Sequence, residues 1–428
     1  MNKKKNMTLF FVVVALWDLS ASFVHPVTPT LFKDLNLKDY MFGVALACMM
    51  AANFLFSPFW GKISGYISSR KTLLISCMGY ALGQIFFAMS RTQLQFILAR
   101  TFAGIFCGGI FVGILNYIVN ESPGDKARNN NLVLSATLQT VFNSLGYFVG
   151  GMLGEINVYV AVYAQTAALC ACGLLFLAVC EKDNTVPVKT MKPGQLVKEA
   201  NPFGAFVQGR SFMTLTLAFL FGMVALQNLS QTAFDQSFNY YVIDQIGMST
   251  GYNGTIKFVM GVVTMLANAT VCVWLMNRTD GKKSIIYVLL AGTVCMAGVL
   301  GFRQLVPFLI VSILFYAISS VSIPMMQRLA ADESAKEGRD SNLMMGFYNS
   351  LQAFGGIIGA LVAGFTYVIS PRAPFVCCMV GFTAAVLCAV TYRIRVTCKS
   401  GKEQEAECLE KETERGRRDG REAAKTAG

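Results

Sequence analysis

The sequence predicts an all-α membrane protein with twelve transmembrane helices in two six-helix bundles. Only 14% of the 428 residues are charged and 54% are hydrophobic, whereas about a quarter of a soluble domain is charged. Cutting the chain at charged or turn-like clusters leaves about twelve apolar stretches, and a hydrocarbon core needs about 20 residues to cross. No alternating pattern of about ten residues runs through these stretches, so helices are favoured over a membrane barrel.

One long polar interruption divides the predicted spans into two groups of six. Residues 181–212 contain three prolines and are predicted to form a cytoplasmic linker between an N-terminal bundle (1–180) and a C-terminal bundle (213–395). Residues 396–428 are mixed in charge and almost free of apolar side chains, so we expect a disordered cytoplasmic tail. The predicted spans are 7–31, 41–61, 71–90, 93–119, 131–154, 157–180, 213–241, 253–276, 284–302, 305–326, 342–369 and 374–394.

The distribution of basic residues predicts that both termini lie in the cytoplasm. If the chain starts inside, the cytoplasmic loops and termini hold 29 of the 36 Lys and Arg, and the outer loops with the adjacent helix edge hold only six. The remaining residue, Arg100, falls within a span. Such an asymmetry is the positive-inside pattern. It accounts for the net charge of +12, so we do not expect nucleic-acid binding. The six outer residues are Lys33, Lys38, Arg91, Lys257, Arg303 and Arg372.

No pattern in the sequence indicates a cofactor or an enzyme. The 13 cysteines are scattered through apolar spans without metal-ligand spacing, and His25 is the single histidine. We interpret the cysteines as small apolar filler and His25 as an interfacial residue rather than a proton relay. A histidine-rich metal motif, a serine elbow and a phosphate-binding glycine loop are all missing from the sequence. The expectation is therefore no cofactor, no metal and no enzymatic activity.

The two halves of the chain repeat each other weakly. Basic pairs precede an apolar run at corresponding places, Arg70-Lys71 after span 2 and Lys282-Lys283 after span 8. Spans 5 and 11 also share a glycine-rich pattern, at 143–155 and 349–364. Six helices repeated in the same orientation are typical of a transporter built from two parallel bundles.

These segments resemble the major facilitator superfamily, and more narrowly its drug/proton antiporters related to the tetracycline and quinolone efflux pumps. The likeness covers roughly residues 7–395 and is densest in four segments, 16–35, 56–76, 98–109 and 233–244. The resemblance implies alternating-access export of small amphiphilic compounds in exchange for protons. A proton-coupled importer or facilitator of a sugar or another small metabolite is the alternative on the same fold.

Two motifs resemble the gating elements of this family. In the signature loop between spans 2 and 3, Gly61, Arg70 and Lys71 fit, while Gly65 replaces the aspartate and Ser68 the second glycine. The resemblance implies a cytoplasmic gate, with Lys282 and Lys283 as the counterparts in the second half. The alternative is that these basic residues only anchor the topology.

Span 5 resembles the antiporter signature through its glycines. Gly146, Gly150 and Gly154 match, whereas Gly151 replaces the usual proline and Glu155 the last glycine. The resemblance implies that this span shapes the closing motion. The alternative is purely structural, because small residues four apart allow helices to approach closely.

Charged residues inside the first and fourth spans suggest a proton-linked pair. Arg100 resembles the arginine of the family's span 4 motif, and Asp18 resembles an acid of the tetracycline pumps. At ~1.5 Å rise per residue both lie roughly 11–17 Å deep from opposite sides, so they are expected to meet near the midplane. A static ion pair between two helices is the alternative. Pro26 and Pro29 are expected to bend the first helix.

Span 7 carries a polar stripe that is unusual for a membrane helix. At 100° per residue, its polar residues fall within about one third of the circumference, which indicates either a cavity wall or interhelical hydrogen bonds. By resemblance Asp235 is a proton-binding carboxylate, and partial removal from water makes a carboxyl group hold its proton more tightly. The proton-coupling candidates are Asp235, Asp18 and Arg100; the candidates for the cavity wall are Asn228, Gln231, Thr232, Asn239, Gln139, Asn143 and Ser320.

The expected partners follow from these residues. Two acids against Arg100 predict a cavity that is acidic on balance, which favours cationic amphiphiles. We expect a small-molecule substrate, protons and the lipid bilayer as partners, and a monomer in the cell membrane.

Overall fold

The computed structural model describes residues 3–183, 201–209, 212–334 and 341–398. In these ranges the chain is helical, and eleven helices are long and apolar enough to cross a membrane, to which α1 adds a shorter apolar helix over Asn6–Ala21. The predicted all-α membrane fold is confirmed. The helices are α1 (Lys3–Ala21), α2 (Thr28–Asp34), α3 (Met41–Ile67), α4 (Ser69–Met89), α5 (Gln93–Glu121), α6 (Gly124–Ile156), α7 (Val158–Val179), α8 (Gly204–Gly209), α9 (Leu215–Asp244), α10 (Thr250–Arg278), α11 (Gly281–Gly301), α12 (Leu305–Ser334), α13 (Ser341–Ile369) and α14 (Ala373–Cys398).

The first predicted span is broken rather than bent. α1 ends at Ala21, residues 22–27 form turns, and α2 begins at Thr28 with Pro29 in its first turn. Pro26 has no N–H to donate to a helical carbonyl and its ring clashes with the preceding turn, which ends a helix. Proline is favoured in the first turn of a new helix. The prediction of a continuous helix over 7–31 is therefore wrong.

Most of the predicted loop between spans 2 and 3 is helical. α3 continues to Ile67 and α4 starts at Ser69, so Ser68 alone connects them. Its φ of 75° lies in the region that favours glycine. Ser68 thus occupies the position of the second glycine in the family's motif. Its positive φ explains why glycine suits this position.

The linker and the tail are described only in part. Residues 184–200 and 210–211 of the expected linker lie outside the described residues, as do residues 399–428 of the expected tail. The described part of the linker contains α8, which packs against α13. α14 continues to Cys398, three residues beyond the predicted end of the second bundle.

Glycines set the closest helix contacts within each bundle. The backbone of α6 approaches α1 at Gly146 and the break after α1 at Gly150, where an added Cβ would collide with the carbonyls of Leu19 and Phe23, respectively. In the second bundle α13 approaches α9 in the same way, through two glycines, Gly355 and Gly359. The weak sequence repeat therefore corresponds to a repeated packing arrangement, and the close packing expected of the span 5 glycines is observed.

The two bundles meet each other along two helix pairs. α6 packs against α10, and α3 packs against α13. Both contacts depend on paired glycines: a Cβ on Gly151 would lie 3.0 Å from the Gly254 Cα, and one on Gly43 would lie 2.6 Å from the Gly364 backbone nitrogen. All four glycines lie near the end of the bundles where α3 begins and α6 ends. The bundles are therefore in tight contact at that end.

Candidate functional site

A cavity of about 1090 Å³ lies between the two bundles. Side chains of α1, α3, α6, α9, α10 and α12 line it. At one extreme are His25 and Asp235, and at the other are Val133, Met276 and Pro324. The latter three lie toward the end where α6 begins and α10 ends, opposite the glycine-mediated contacts. The cavity thus reaches toward one face of the protein.

Polar contacts between the bundles seal the other end. The Asn239 amide donates to the carbonyl of His25 at 3.1 Å, and the Asn253 amide donates to the carbonyl of Pro26 at 3.3 Å. Both asparagines belong to the second bundle, and both carbonyls belong to the break after α1. Because this break leaves helical carbonyls without their usual partners, it supplies acceptors to the opposite bundle.

Two further pairs reinforce the same closure. Lys33 forms an ion pair with Asp244 at 3.0 Å, and the Tyr240 hydroxyl donates to Asp39 at 2.8 Å. Each pair joins a residue of the first half to a residue near the end of α9. The closed end is therefore held by hydrogen bonds and charge as well as by glycine packing.

Asp235 lies in the cavity wall and is paired with a lysine. Lys257 donates from Nζ to the Asp235 carboxylate and, at 3.4 Å, to its backbone carbonyl. The Lys257 side chain is only 4% exposed and that of Asp235 19% exposed. A buried charge of either sign is destabilising unless it is paired. The pair therefore satisfies two residues that would each be destabilising alone.

The assignment of Lys257 to the outer helix edge is wrong. α10 begins at Thr250, so Lys257 lies about 10 Å along the helix axis and inside the protein. Its positive charge balances Asp235. The expected balance of two acids against Arg100 is likewise corrected, because Lys257 and not Arg100 is the cation of the main cavity.

Three aromatic rings surround the Lys257 ammonium. The centroids of Phe238 and Tyr316 lie 5.4 Å from Nζ, and that of Tyr147 lies 6.0 Å away. Tyr147 also stacks on the His25 ring, with the centroids 5.4 Å apart. His25 is thus a cavity residue and not an interfacial one. A helical wheel of span 7 contains Phe238 but could not have found Tyr147 and Tyr316, because those rings come from α6 and α12.

Asp18 and Arg100 do not form the expected pair. Asp18 lines the cavity, is 1% exposed and has one carboxylate oxygen, Oδ2, without a hydrogen-bond partner. Arg100 instead donates to the Thr28 hydroxyl at 3.2 Å, and its guanidinium lies 4.0 Å from the centroid of the Phe87 ring. The depth estimate was too coarse, because depth along a helix does not fix the direction of a side chain. The break after α1 brings Thr28 of α2 to the arginine.

The polar stripe of α9 faces more than one neighbour. Gln231 lines the cavity, as do Gln139, Asn143 and Ser320. Asn228 and Thr232 face α13, since a Cβ on Gly355 would lie 3.2 Å from the Asn228 Cβ and one on Gly356 would lie 3.4 Å from the Thr232 hydroxyl. Asn239 is buried in the sealed end. The structure thus places Gln231 and Asp235 in the lining of this cavity, Asn228 and Thr232 beside α13, and Asn239 in the sealed end.

The predicted gating residues lie away from the cavity. Gly61 lies within α3, where a Cβ would make an ordinary 3.8 Å contact with Val112. Arg70 and Lys71 occupy the first turn of α4, and Lys282 and Lys283 occupy the first turn of α11, whose N-cap is Asp280. Gly154 contacts α10 as well as the break after α1.

Sequence reasoning missed an acid at the start of α4. Asp183 accepts a hydrogen bond from the Ser69 backbone N–H at 2.7 Å and another from the Asn120 amide at 3.1 Å. A carboxylate at a helix N-terminus satisfies free N–H groups and the helix dipole. Asp183 thereby joins the end of α7 to α4 and α5, on the side toward which the cavity reaches. Its position in the polar segment after span 6 gave no signal.

The residues in the described ranges offer no group of three His, Cys, Asp or Glu side chains that is suited to a metal ion. Two helical bundles around one cavity, sealed at one end and with an ion pair in its mainly apolar wall, define the class as a membrane transporter. The chain belongs to the Major Facilitator Superfamily, whose family model matches residues 10–339.

The chain is also similar to curated proteins at low sequence identity. The Staphylococcus aureus quinolone resistance protein NorA (strain Mu50) is 23% identical over 252 residues, which cover 58% of this chain and only 60% of NorA. Multidrug resistance protein 1 of Bacillus subtilis (strain 168) is 22% identical over 381 residues, covering 87% of this chain and 93% of that protein.

Two solved structures share the fold at low sequence identity. The human organic anion transporter MFSD10 (TETRAN) has a TM-score of 0.63 and 17% identity, covering 91% of this chain and 100% of that one. The nucleoside transporter NupG has a TM-score of 0.68 and 14% identity, covering 92% of this chain and 98% of that one. At such identities the structural likeness concerns the fold alone.

Proposed function

We propose that this transporter exports small amphiphilic compounds in exchange for protons. The observation that carries the proposal is the ion pair of Asp235 and Lys257 at the sealed end of the cavity. A carboxylate there is accessible to a substrate and to protons, and protonation removes its attraction for a cation. The names of the curated relatives, a quinolone resistance protein and a multidrug resistance protein, support export of toxic compounds.

The cycle is a competition between substrate and proton. Substrate enters while the cavity reaches the cytoplasm and Asp235 is ionised. The bundles then separate at the sealed end and close at the other, and proton uptake by Asp235 expels the substrate outward. Moving one charge across ~100 mV is worth about 2.3 kcal/mol, so a single proton can drive useful export. Asp18, with one unpartnered oxygen in the same cavity, is the candidate for a second proton site.

In the proposed orientation, both termini lie in the cytoplasm and the sealed end faces the outside of the cell. Positive charge in the predicted cytoplasmic segments supports it. The two bundles, residues 1–180 and 213–395, are proposed to move as units joined by the linker 181–212, with Asp183 and the basic residues of α4 and α11 at the cytoplasmic gate. We propose a monomer as the active unit, because described residues of both bundles of a single chain line the cavity.

The lining of the cavity supports amphiphilic substrates. Four methionines, Met49, Met50, Met265 and Met276, lie among its apolar walls, and amide side chains such as Gln139 and Asn143 provide polar contacts. Unbranched thioether chains adapt to varied shapes. A volume of about 1090 Å³ is large for a ligand pocket, whose usual range is roughly 300–1,000 Å³.

Substrate-driven proton movement in everted membrane vesicles tests the proposal. Vesicles energised to an acidic interior should release protons when a substrate such as ethidium is added outside. Asp235→Asn should abolish this release, because an amide cannot take up the coupling proton. Asp332→Asn is the matched control, since Asp332 is 65% exposed and 4.0 Å from Arg328. Wild-type-like proton release by Asp235→Asn would remove Asp235 from the coupling mechanism.

Import of a polar metabolite is the second candidate. The amide groups of Gln139, Asn143 and Gln231 in the cavity favour it, because dense polar contacts suit sugars and nucleosides. Protons leave the everted vesicle in both cases, so the side of the membrane on which substrate is required separates the two functions. In the same everted vesicles, a symporter would move protons out of the vesicle together with a substrate loaded inside it. Release that requires internal substrate would therefore favour import.

A further inference from the structure

The chain's own ammonium group occupies an aromatic and acidic pocket at the end of the cavity. Lys257 Nζ contacts the Asp235 carboxylate and lies 5.4 Å from the ring centroids of Phe238 and Tyr316. Tyr147 contributes a third ring at 6.0 Å. Ring faces beside a carboxylate are the arrangement by which proteins recognise organic ammonium ions. The pocket therefore has the chemistry of a cation site, already filled from within the protein.

This pocket is continuous with the space that a substrate would enter. Asp235, Lys257, Tyr147 and Tyr316 all line the cavity, whereas Phe238 forms the buried back wall. Lysine has four methylene groups, so its ammonium can move away while its backbone stays in α10. The remaining ionisable neighbour, His25, reaches the pocket through its stacking on Tyr147. Exchange of one ammonium for another requires no rearrangement of the helices.

We infer that this end of the cavity is a subsite for the ammonium group of an organic cation, and that Lys257 occupies it until substrate displaces it. The inference rests on the proposed function in taking this cavity as the substrate path. In the empty protein Lys257 keeps Asp235 from being a buried, unpaired charge. The lysine is then a tethered competitor, which weakens the binding of every cation and favours those with an aromatic or apolar body.

Three probes with one aromatic group test the subsite by equilibrium binding to the purified full-length protein in detergent. They are the cation 1-naphthylmethylammonium, the neutral 1-naphthylmethanol and the anion 1-naphthalenesulfonate. Wild type should bind the cation more tightly than the other two. Lys257→Met should bind the cation about tenfold more tightly than wild type, because the competitor is gone while Asp235 remains. Asp235→Asn should lose the preference for the cation.

Matched variants keep the result interpretable. Lys257→Arg retains a cation of similar reach and should bind the probe no more tightly than wild type, while Lys38→Met removes an exposed lysine and should change nothing. Because a carboxyl group without an ionic partner can hold its proton in an apolar site, binding is measured at about pH 7 and at about pH 8, where the probe amine keeps its charge. Weaker cation binding by a folded Lys257→Met at both pH values overturns the inference. Preferred binding of the sulfonate by wild type, lost in Lys257→Met, overturns it as well and identifies an anion site.

The experiments can reject the ammonium subsite and proton-coupled export independently of each other. The probe assay has no membrane and no gradient, so a transporter without proton coupling still shows the competition between Lys257 and the cation. Conversely, proton-coupled export with unchanged cation affinity in Lys257→Met would leave the proposed function intact and overturn the subsite.

Discussion

At the scale of single residues, the membrane interior makes each charged side chain informative, because it must find a partner. Lys257 and Asp235 find each other, and Arg100 finds the Thr28 hydroxyl and the face of the Phe87 ring. Asp18 retains an oxygen without a partner. Asp18, whose contacts are incomplete, lines the same cavity as the paired Asp235 and Lys257, which makes it a candidate for the second proton site proposed above.

A double-mutant cycle of Asp18→Asn and Arg100→Gln tests the absence of a pair between them. Arg100→Gln should lower the free energy of unfolding by about 1–3 kcal/mol, because it removes a charged hydrogen bond and a cation–π contact. Asp18→Asn should have a small or stabilising effect. The coupling energy should stay within about 0.5 kcal/mol, as for residues without contact. The free energy of unfolding in detergent is measured for wild type, the two single mutants and the double mutant. A coupling energy above about 1 kcal/mol would indicate that Asp18 and Arg100 do interact.

At the scale of elements, two short connections between helices have specific structural roles. The break at 22–27 supplies the carbonyls of His25 and Pro26 as acceptors for Asn239 and Asn253 of the other bundle. The single residue Ser68 joins two long helices with a positive φ, and its hydroxyl is buried without a partner. The first connection follows from proline chemistry, which was visible in the sequence. The second depends on backbone geometry, which only the packed helices reveal.

Ser68→Gly should stabilise the protein. Glycine adopts a positive φ without the steric strain of a Cβ, so we expect the free energy of unfolding to rise by about 1 kcal/mol. Ser90→Gly is the control, because Ser90 ends α4 with a φ of −64° and donates to the Phe86 carbonyl. The control should lose stability, by about 0.5–1 kcal/mol. Thermal and denaturant unfolding in detergent would compare the two, and a loss of stability in Ser68→Gly would contradict the strain.

At the scale of the whole molecule, the state of the transporter depends on which ends of the bundles touch. Glycine pairs on α6 with α10 and on α3 with α13 bring backbones together at the sealed end. These contacts are absent by necessity when that end opens, so their strength sets the balance between the two states. In the proposed cycle, small residues at the crossing points would thus control conformation without touching substrate.

Gly254→Ala should shift this balance toward opening of the sealed end. An added methyl would collide with the Tyr147 carbonyl and lie 3.1 Å from the Gly151 Cα, and overpacking typically costs about 1–3 kcal/mol. Hydrogen exchange of residues 22–27 should accelerate, because their partners on the second bundle move away. Gly222→Ala is the control, since its Cβ would lie 3.8 Å from the nearest atom, the Cys388 sulfur. Equal exchange in the two variants would count against a role of the glycine pair in closure.

Three features could be read from the sequence alone: lipid as the surroundings of the chain, about twelve membrane spans, and the weak repeat between the two halves. Hydropathy, the basic pairs and the glycine spacing are local properties, and lipid imposes helices wherever the backbone crosses it. The sequence also marked Asp235 as a residue that needs a partner or a role, because an acid in an apolar span is costly.

Only the tertiary structure decided which residues face one another. It paired Asp235 with Lys257, separated Asp18 from Arg100 and turned Asn228 and Thr232 away from the cavity toward α13. These outcomes depend on the rotation of each helix about its axis and on its neighbours across the bundle. A one-dimensional pattern gives depth and periodicity, whereas partners are fixed by packing among helices that are far apart in sequence.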